Sequence, residues 1–139
     1  MIDPRIVRFI RKHHLLTLAT ATELGPYCAH AFYAYDEKRN RIVFAADPAT
    51  RHATEMAART EVAAGIALET RTVGKLQGVQ LCGRAVPADE EDRRRYLTRF
   101  PFAAMAAPTL WTIVPSFMKF TDNTLGFGKK LIWNSEKQE

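Results

Sequence analysis

Six segments with the character of β-strands, spread along most of the chain, constrain the fold more than any other feature of the sequence. In "YCAHAFYAY", aromatic and alanine side chains recur at every second residue and so share one face of a strand. The other five segments are "LLTLATAT", "RIVFAA", "EVAAGIAL", "GKLQGVQLCGRAV" and "TLWTIVPSFMKFT". We expect Pro115 to interrupt the last segment, and we expect bulges or bends that curl the sheet at Gly78 and Gly83. The pattern predicts a mainly β fold with helices (α+β), in which mostly antiparallel strands close into a small barrel.

Three short helices complete the prediction. The first spans about residues 4–13, because Asp3 is a good N-cap and Pro4 suits the first helical position. The alanine-rich segment 50–60 forms the second helix, and a third begins behind Asp89. With 139 residues, of which 47% are hydrophobic and 25% charged, the chain has the profile of one globular domain over 1–139. A loop and an apolar anchor are predicted over about 122–133.

Composition and spacing exclude several classes of protein. No stretch approaches the roughly 20 apolar residues of a membrane-spanning helix, and the N-terminus has no apolar signal core, so we expect a cytoplasmic protein without a membrane partner. Cys28 and Cys82 suggest no disulfide framework and are expected to be buried free thiols. No set of side chains has the spacing of metal ligands, and no nucleophile elbow, HExxH motif or pair of carboxylates indicates a hydrolase. The net charge of +5 favours anionic partners in general.

The stretch "DPATRHATEM" is a candidate anion site. If the helix begins near Thr50, the free backbone N–H groups of its first turn converge with the Thr50 hydroxyl, Arg51 and His52 on one point. Arginine adds a permanently charged, forked donor, which suits a phosphate monoester. The alternative is an N-cap followed by two solvated side chains.

The stretch "GFGKK" near the C-terminus does not match a nucleoside triphosphate loop. Gly126 and Gly128 are only two residues apart, and Lys130 stands where that motif needs a hydroxyl. A surface turn that leads into the apolar anchor is the simpler interpretation.

The order of these motifs resembles the FMN-binding split barrels of the pyridoxamine 5'-phosphate oxidase superfamily, from about Leu15 to Trp133. In that superfamily a strand similar to "FAAD" precedes a helix that opens with serine, arginine and lysine, where this chain has "TRH" followed by "RTEV". The resemblance implies a six-stranded antiparallel split β-barrel with FMN as cofactor. It assigns Thr50, Arg51 and His52 to the FMN phosphate, although His52 stands where the family has a lysine.

Three further segments extend the resemblance. "LQGVQLCG" is similar to the strand that supplies a flavin-contacting glutamine, which implies Gln77 or Gln80. "YCAHAFYAY" is similar to the strand whose backbone flanks the isoalloxazine ring, which implicates four consecutive residues, Ala29, His30, Ala31 and Phe32. The segment "WTIVPSFMKFTD" matches the last strand of the oxidase, after which Lys129 or Lys130 replaces a flavin-side arginine.

The loop after that strand differs from the oxidase. The arginine and histidine that hold the substrate phosphate there have no counterparts in "TLGFG". The chain is therefore not expected to oxidise pyridoxamine phosphate. The segments "TRHA", "GVQ", "RFP" and "KFTDNTLGFGKK" together resemble the bacterial YhbP-like branch of the superfamily.

Three functions remain open at this point. The first is a homodimeric FMN oxidoreductase with its site at the subunit interface and an unknown small molecule as substrate. The second is a protein of the same fold that binds flavin, haem or another anionic ligand without catalysis. The third, suggested only by the positive charge and the aromatic residues, is a nucleic-acid-binding protein.

Overall fold

Seven strands and three α-helices make up the fold of the described residues. The computed structural model describes residues 1–137, so the last two residues of the predicted domain lie outside it. The helices and strands, in chain order, are α1 (Pro4–Lys12), β1 (Leu15–Thr22), β2 (Gly25–Asp36), β3 (Arg41–Ala45), α2 (Arg51–Ala58), β4 (Glu61–Ala67), β5 (Gln77–Pro87), α3 (Glu90–Arg99), β6 (Leu110–Asp122) and β7 (Lys130–Asn134). Among residues 1–137, no helix combines the length and the apolar character needed to cross a bilayer.

The sheet closes into a ring of six strands. Neighbouring strands follow the order β3-β2-β1-β4-β5-β6, all antiparallel, and β6 returns to pair with β3. The predicted antiparallel split barrel is thus confirmed. One count differs: the segment predicted as an apolar anchor belongs to β7, which pairs with residues 117–121 of β6 outside the ring.

A bulge in β6 lets the ring bend. Gly83 lies opposite Pro115 while Cys82 lies opposite Phe117, so Ser116 is an extra residue in its strand. Pro115 was predicted to interrupt this strand, and that prediction is wrong. The strand continues through Pro115, because the irregular pairing at the bulge accommodates it. The bulge expected at Gly78 is absent, since that residue pairs in regular register with both neighbouring strands.

The core fills the inside of the ring and is covered at one side by α1. Asp3 caps that helix by accepting a hydrogen bond from the Arg5 backbone N–H at 2.9 Å, as its sequence position predicted. The buried side chains of α1 join those of the strands in one cluster, which includes Ile6, Phe9, Ile10, Leu16, Leu18, Tyr33, Phe44, Ile66, Leu81, Ile113 and Met118. Burial of each such side chain contributes roughly 1.5–3 kcal/mol.

An ion-pair network fixes α3 across β2 and β3. Arg41 donates two hydrogen bonds to the buried carboxylate of Asp92, at 3.1 and 2.7 Å. Arg39 bridges Asp36 at 2.6 Å and Asp92 at 2.9 Å. Asp89 and Asp92 form a capping box at the start of α3. This helix therefore sits in a defined orientation against the barrel.

The two cysteines lie on the outside of the barrel, contrary to the expectation that both are buried. Cys28 and Cys82 are exposed. The register places them in one row across four strands, with Ala19 and Ala63 between them. Alternation along each strand sends neighbouring residues such as Leu81 into the core and the cysteines outwards.

The bulge yields a prediction about stability. A Cβ atom added at Gly83 would collide with the carbonyl oxygen of Val114 and lie 2.9 Å from Cα of Pro115. We expect Gly83→Ala to lower the free energy of unfolding by about 1–3 kcal/mol, because backbone must move to make room. Urea denaturation measures the change. Gly65→Ala is the matched control, because a Cβ there meets no atom within 4 Å; equal stability of both variants would contradict the role of the bulge.

Candidate functional site

Thr50 caps the N-terminus of α2 but leaves part of the first turn free to bind a ligand. The Thr50 hydroxyl accepts from the Ala53 backbone N–H at 3.3 Å and donates to the carbonyl oxygen of Asp47 at 2.7 Å. An α-helix leaves the N–H groups of its first turn without intrahelical acceptors. The cap uses the N–H group of Ala53, so those of Arg51 and His52 remain available to an anion.

Arg51 is held in place by two neighbours, Glu55 and Tyr27. Its Nε donates to the carboxylate of Glu55 at 3.0 Å, and its guanidinium carbon lies 4.1 Å from the centroid of the Tyr27 ring on β2. The Arg51 side chain is still 44% exposed. A positioned, solvent-facing guanidinium can hold a phosphate through the N–H groups that Glu55 does not use.

Glu55 connects α2 to β1. It is buried and accepts hydrogen bonds from the hydroxyl groups of Thr20 at 2.8 Å and Thr22 at 3.3 Å. The hydrogen bond from Thr20, followed by that from Arg51, holds the pKa of the Glu55 carboxyl below its ordinary value. The carboxylate therefore stays charged at neutral pH and anchors Arg51.

His52 lies beside the Thr50 cap and not beside Glu55 or Tyr27, the two residues that contact Arg51. Its Nε2 is 3.5 Å from the Thr50 hydroxyl oxygen, at the edge of hydrogen-bond distance. Partial burial lowers the pKa of the imidazole. At neutral pH His52 is consequently mostly uncharged, so it supplies a hydrogen-bonding group and not the permanent charge of a lysine.

One edge of β2 is open beside this helix. Residues 25–32 of β2 pair with β1, whereas β3 pairs only with residues 33–36. Beyond the reach of β3, the second edge of β2 offers backbone N–H and C=O groups to a ligand. Ala29, His30, Ala31 and Phe32 all lie in this open part, as the predicted contact through backbone atoms requires.

The side chains of these four residues face different directions. Ala31 packs against the main core and Ala29 is half-buried, so they offer a ligand only backbone atoms. His30 and Phe32 are on the outer face. Phe32 is 52% exposed and stacks on His14, with 6.0 Å between ring centroids.

A groove of about 560 Å³ runs across the outer face of the sheet. We call it the sheet-face groove; it is lined chiefly by Thr17, His30, Gly65, Gly78, Gln80 and Thr121. Register explains the grouping, because His30 lies opposite Thr17, Thr17 opposite Gly65, and Gly65 opposite Gln80. His30 Nδ1 is 3.1 Å from the Thr17 hydroxyl oxygen. Small residues form much of the floor, so the groove can admit a flat ring system.

The two glutamines have different positions. Gln80 lines the sheet-face groove. Gln77 donates its side-chain amide to Asp122 at 3.1 Å and does not line that groove. Of the two predicted alternatives, only Gln80 thus shares a face with His30.

The lysines near the C-terminus are also separated by the fold. Lys130 begins β7 opposite Thr121, a residue that lines the sheet-face groove. Lys129 lies in the preceding loop, where its carbonyl oxygen accepts from the Asp122 backbone N–H at 3.1 Å. A third lysine was missed in the sequence: Lys119 lies directly opposite Gln80 on β6. Its alternation with buried Met118 and Phe120 is the signal that could have identified it.

The chain is similar in sequence to known proteins. The sequence profile of the family described as pyridoxamine 5'-phosphate oxidase matches residues 2–112. A relative from Klebsiella pneumoniae, named UPF0306 protein, is 40% identical over 135 residues, which are 94% of this chain and 92% of the relative. The likeness in sequence therefore extends over nearly the whole of both proteins.

Solved structures share the fold at lower sequence identity. A haem-binding protein from Mycobacterium smegmatis has a TM-score of 0.75 at 18% identity, over 92% of this chain and 55% of that one. A FAD-binding protein from Mesorhizobium loti has a TM-score of 0.72 at 14% identity, over 86% of this chain and 94% of that one. At these identities the likeness concerns the fold alone.

The hydrogen bonds to Glu55 yield a prediction about pH dependence. Because the folded state lowers the pKa of Glu55, the carboxylate stabilises the fold above the ordinary glutamate pKa of about 4.3, and this contribution is lost as pH falls through the lowered pKa. We expect Glu55→Gln to reduce the free energy of unfolding at pH 7. The difference from the wild type should narrow at an acidic pH below the lowered pKa, where the wild-type carboxylate is protonated as well.

Urea denaturation at the two pH values measures this difference. Glu69→Gln, at an exposed loop position, is the control and is expected to have little effect at either pH. A difference of equal size at both pH values would show that the charge of Glu55 does not stabilise the fold.

Proposed function

The chain belongs to the pyridoxamine 5'-phosphate oxidase family, as its motifs predicted, and on that premise we propose that it binds FMN and acts as an oxidoreductase on a small molecule. One observation carries the proposal: Arg51 is held by Glu55 and Tyr27 at the open N-terminus of α2, beside the unpaired edge of β2. This arrangement combines a phosphate site with a backbone edge that can meet a planar ring.

The residues at α2 fit the phosphate of FMN. The backbone N–H groups of Arg51 and His52 and the partial positive charge of the helix end favour a dianion. The Arg51 guanidinium adds charge-assisted hydrogen bonds, while neutral His52 can donate one more. Thr50 would act mainly through its cap, since its hydroxyl already donates to Asp47.

The distance between the two parts of the site also suits the cofactor. Tyr27, which contacts Arg51, and His30, which lines the sheet-face groove, are three residues apart on β2, about 10 Å along an extended strand, and alternation places them on opposite faces of that strand. A ligand with phosphate at one end and a flat ring at the other would pass over the open edge of β2 to reach both. His30 and Gln80 would then lie near the ring.

When bound, FMN supplies hydride or electron transfer. The chain contributes position, exclusion of water and charge. Lys130 and Lys119 carry positive charge on the same face of the sheet as the groove, which favours negative charge on the ring.

Pyridoxamine 5'-phosphate is not the proposed substrate. Residues 123–128, which follow β6, are "NTLGFG" and contain no arginine or histidine to hold a second phosphate. The site edge is instead apolar, with Leu125 and Phe127 exposed. A small molecule without a phosphate at this position fits the loop better.

We also propose that two copies of the chain form a dimer through the outer face of the sheet. A row of small side chains crosses the face at Cys28, Ala19, Ala63 and Cys82. Apolar residues around the row are largely exposed in the single chain, namely Leu15, Phe32, Leu76 and Ile132. An exposed apolar surface of this kind is typical of a protein interface. The sheet-face groove opens on the same face, so the partner would cover the flavin site.

Binding of haem without catalysis is the second candidate. It is favoured by the position of His30, which is exposed on the groove and near Thr17 through Nδ1. A ligating histidine commonly uses one ring nitrogen for the metal and the other for such a partner. Proteins of similar fold include one described as haem-binding and another described as FAD-binding.

The phosphate site yields a prediction about FMN. We expect the purified wild-type protein to bind FMN near stoichiometry, seen as flavin absorption bands and quenched flavin fluorescence on titration. Arg51→Gln should raise the dissociation constant at least about tenfold, because it removes charge-assisted hydrogen bonds to the phosphate. Arg59→Gln, at the C-terminal end of the same helix, is the matched control and should bind like the wild type.

Titration with haemin separates the two candidates. A wild-type protein that takes up no FMN, but binds haemin with a Soret shift that His30→Ala abolishes, would replace the flavin proposal with the haem one. Equal effects of Arg51→Gln and Arg59→Gln on FMN binding would show that only general charge attraction is involved.

The proposed interface yields a prediction about assembly. We expect a dimer by light scattering, and we expect Ala63→Glu to weaken dimerisation on the order of 100-fold, about 3 kcal/mol, because it buries charge without a partner. Ala57→Glu, on the exposed surface of α2, should leave the dimer intact. Reaction of Cys28 and Cys82 with a thiol reagent should be slow in the dimer and fast in Ala63→Glu. A wild-type monomer with rapidly reacting thiols would rule out this interface.

A further inference from the structure

A second groove, of about 640 Å³, lies between α3 and the C-terminal half of β2. Ala34 and Tyr35 of β2 contribute to it. The lining residues of α3 recur at spacings of three and four, so they form one face of the helix. We call this the arginine groove; its charged lining residues are Arg11, Glu37, Glu91, Arg94, Arg95 and Arg99.

The positive charge of the groove is only partly neutralised. Among residues 1–137, the Arg94 side chain is exposed and has no ion-pair partner. Arg99 donates to the carbonyl oxygens of Tyr33 and His13, at 3.2 and 2.8 Å, and these neutral acceptors do not offset its positive charge. Of the two acidic side chains, Glu91 is 3.3 Å from Arg39, which lies outside the groove. The groove therefore favours an anion.

Arg95 also lines the groove, and its side chain is 37% exposed. Its Nε atom is buried and has no hydrogen-bond acceptor among the described residues. The carboxylate of Asp36 lies 3.7 Å away, beyond hydrogen-bond distance, and is already bound by Arg39. Buried N–H groups without an acceptor are uncommon, because their lost hydration is not replaced. Because Nε is buried, an anion in the groove would contact the exposed part of the Arg95 guanidinium instead.

We propose that the arginine groove binds a small organic phosphate. Guanidinium groups pair with phosphate oxygens through short, charge-assisted hydrogen bonds. Arg94 and Arg95 are adjacent in the chain, so both can bind the same phosphate group. The volume is that of a small-molecule pocket and far exceeds a phosphate ion. Glu37, which faces Arg11 at 3.3 Å on the opposite side, can accept hydrogen bonds from hydroxyl groups of the organic part.

This site is separate from the proposed flavin site. No residue of α2 lines the arginine groove, and no lining residue is shared with the sheet-face groove. The inference therefore does not depend on whether the chain binds FMN.

Calorimetric titration of the full chain with ribose 5-phosphate tests the proposal. We expect saturable binding of one molecule per chain, and we expect Arg94→Gln to weaken it about tenfold. Arg94 has an exposed side chain without an ion-pair partner in the described chain, so its replacement should leave the fold intact. Arg93→Gln removes the same charge from the same helix outside the groove and should change the affinity less than about twofold.

Three results would overturn the proposal. The first is the absence of saturable binding of ribose 5-phosphate and of adenosine monophosphate, used as a second probe. The second is equal weakening by Arg93→Gln and Arg94→Gln, which would indicate general charge attraction. The third is loss of binding in Arg51→Gln, which would place the sugar phosphate at α2 instead.

Discussion

Closure of the ring through β6 is the constraint on which the rest of the structure depends. A strand has two edges, and β6 gives one of them to β5 along almost its whole length. The other edge is shared in succession by β3 at residues 110–113 and by β7 at residues 117–121. The bulge at Ser116 lies between these two pairings, where the strand must turn from one neighbour to the next. Close contact of Gly83 with the Val114 carbonyl is part of that turn.

The position of the candidate site also depends on which strand edges are paired and which are left open. Since β3 is short and must reach β6, it can pair with only the last four residues of β2. The earlier part of β2 is left with an open edge, and α2, which follows β3 in the chain, packs next to it through Tyr27. Glu55 then fixes the helix to β1, and in doing so it orients Arg51. The position of the proposed phosphate site is thus a consequence of how the barrel closes.

The sequence predicted what depends on local pattern. Strand alternation, the caps Asp3 and Asp89, and the start of α2 behind Thr50 are all encoded within a few residues, and the structure confirms them. The prediction that Cys28 and Cys82 are buried was wrong, because a strand with small or apolar residues on both faces does not reveal which face is inside. Alternation alone also could not separate Gln77 from Gln80 without a fixed register.

Contacts between distant parts of the chain could not be predicted from the sequence. Arg51 and Glu55 are four residues apart on a helix, so their pairing could have been anticipated. Their link to Thr20 could not, because it joins residues 35 positions apart. Likewise, the sequence could not show that Arg11 and Glu37 lie across from the arginines of α3.

The two proposed anion sites differ in how they would hold a ligand. At α2, Glu55 already offsets much of the charge of Arg51, so attraction depends on directed hydrogen bonds from the guanidinium and the helix N–H groups. Directed contacts of this kind act at short range and select the shape of a phosphate. In the arginine groove, Arg94 and Arg99 lack carboxylate partners among the described residues, so the field extends further into solvent. Salt screens such a field strongly. Affinity there should consequently depend on ionic strength far more than affinity at α2.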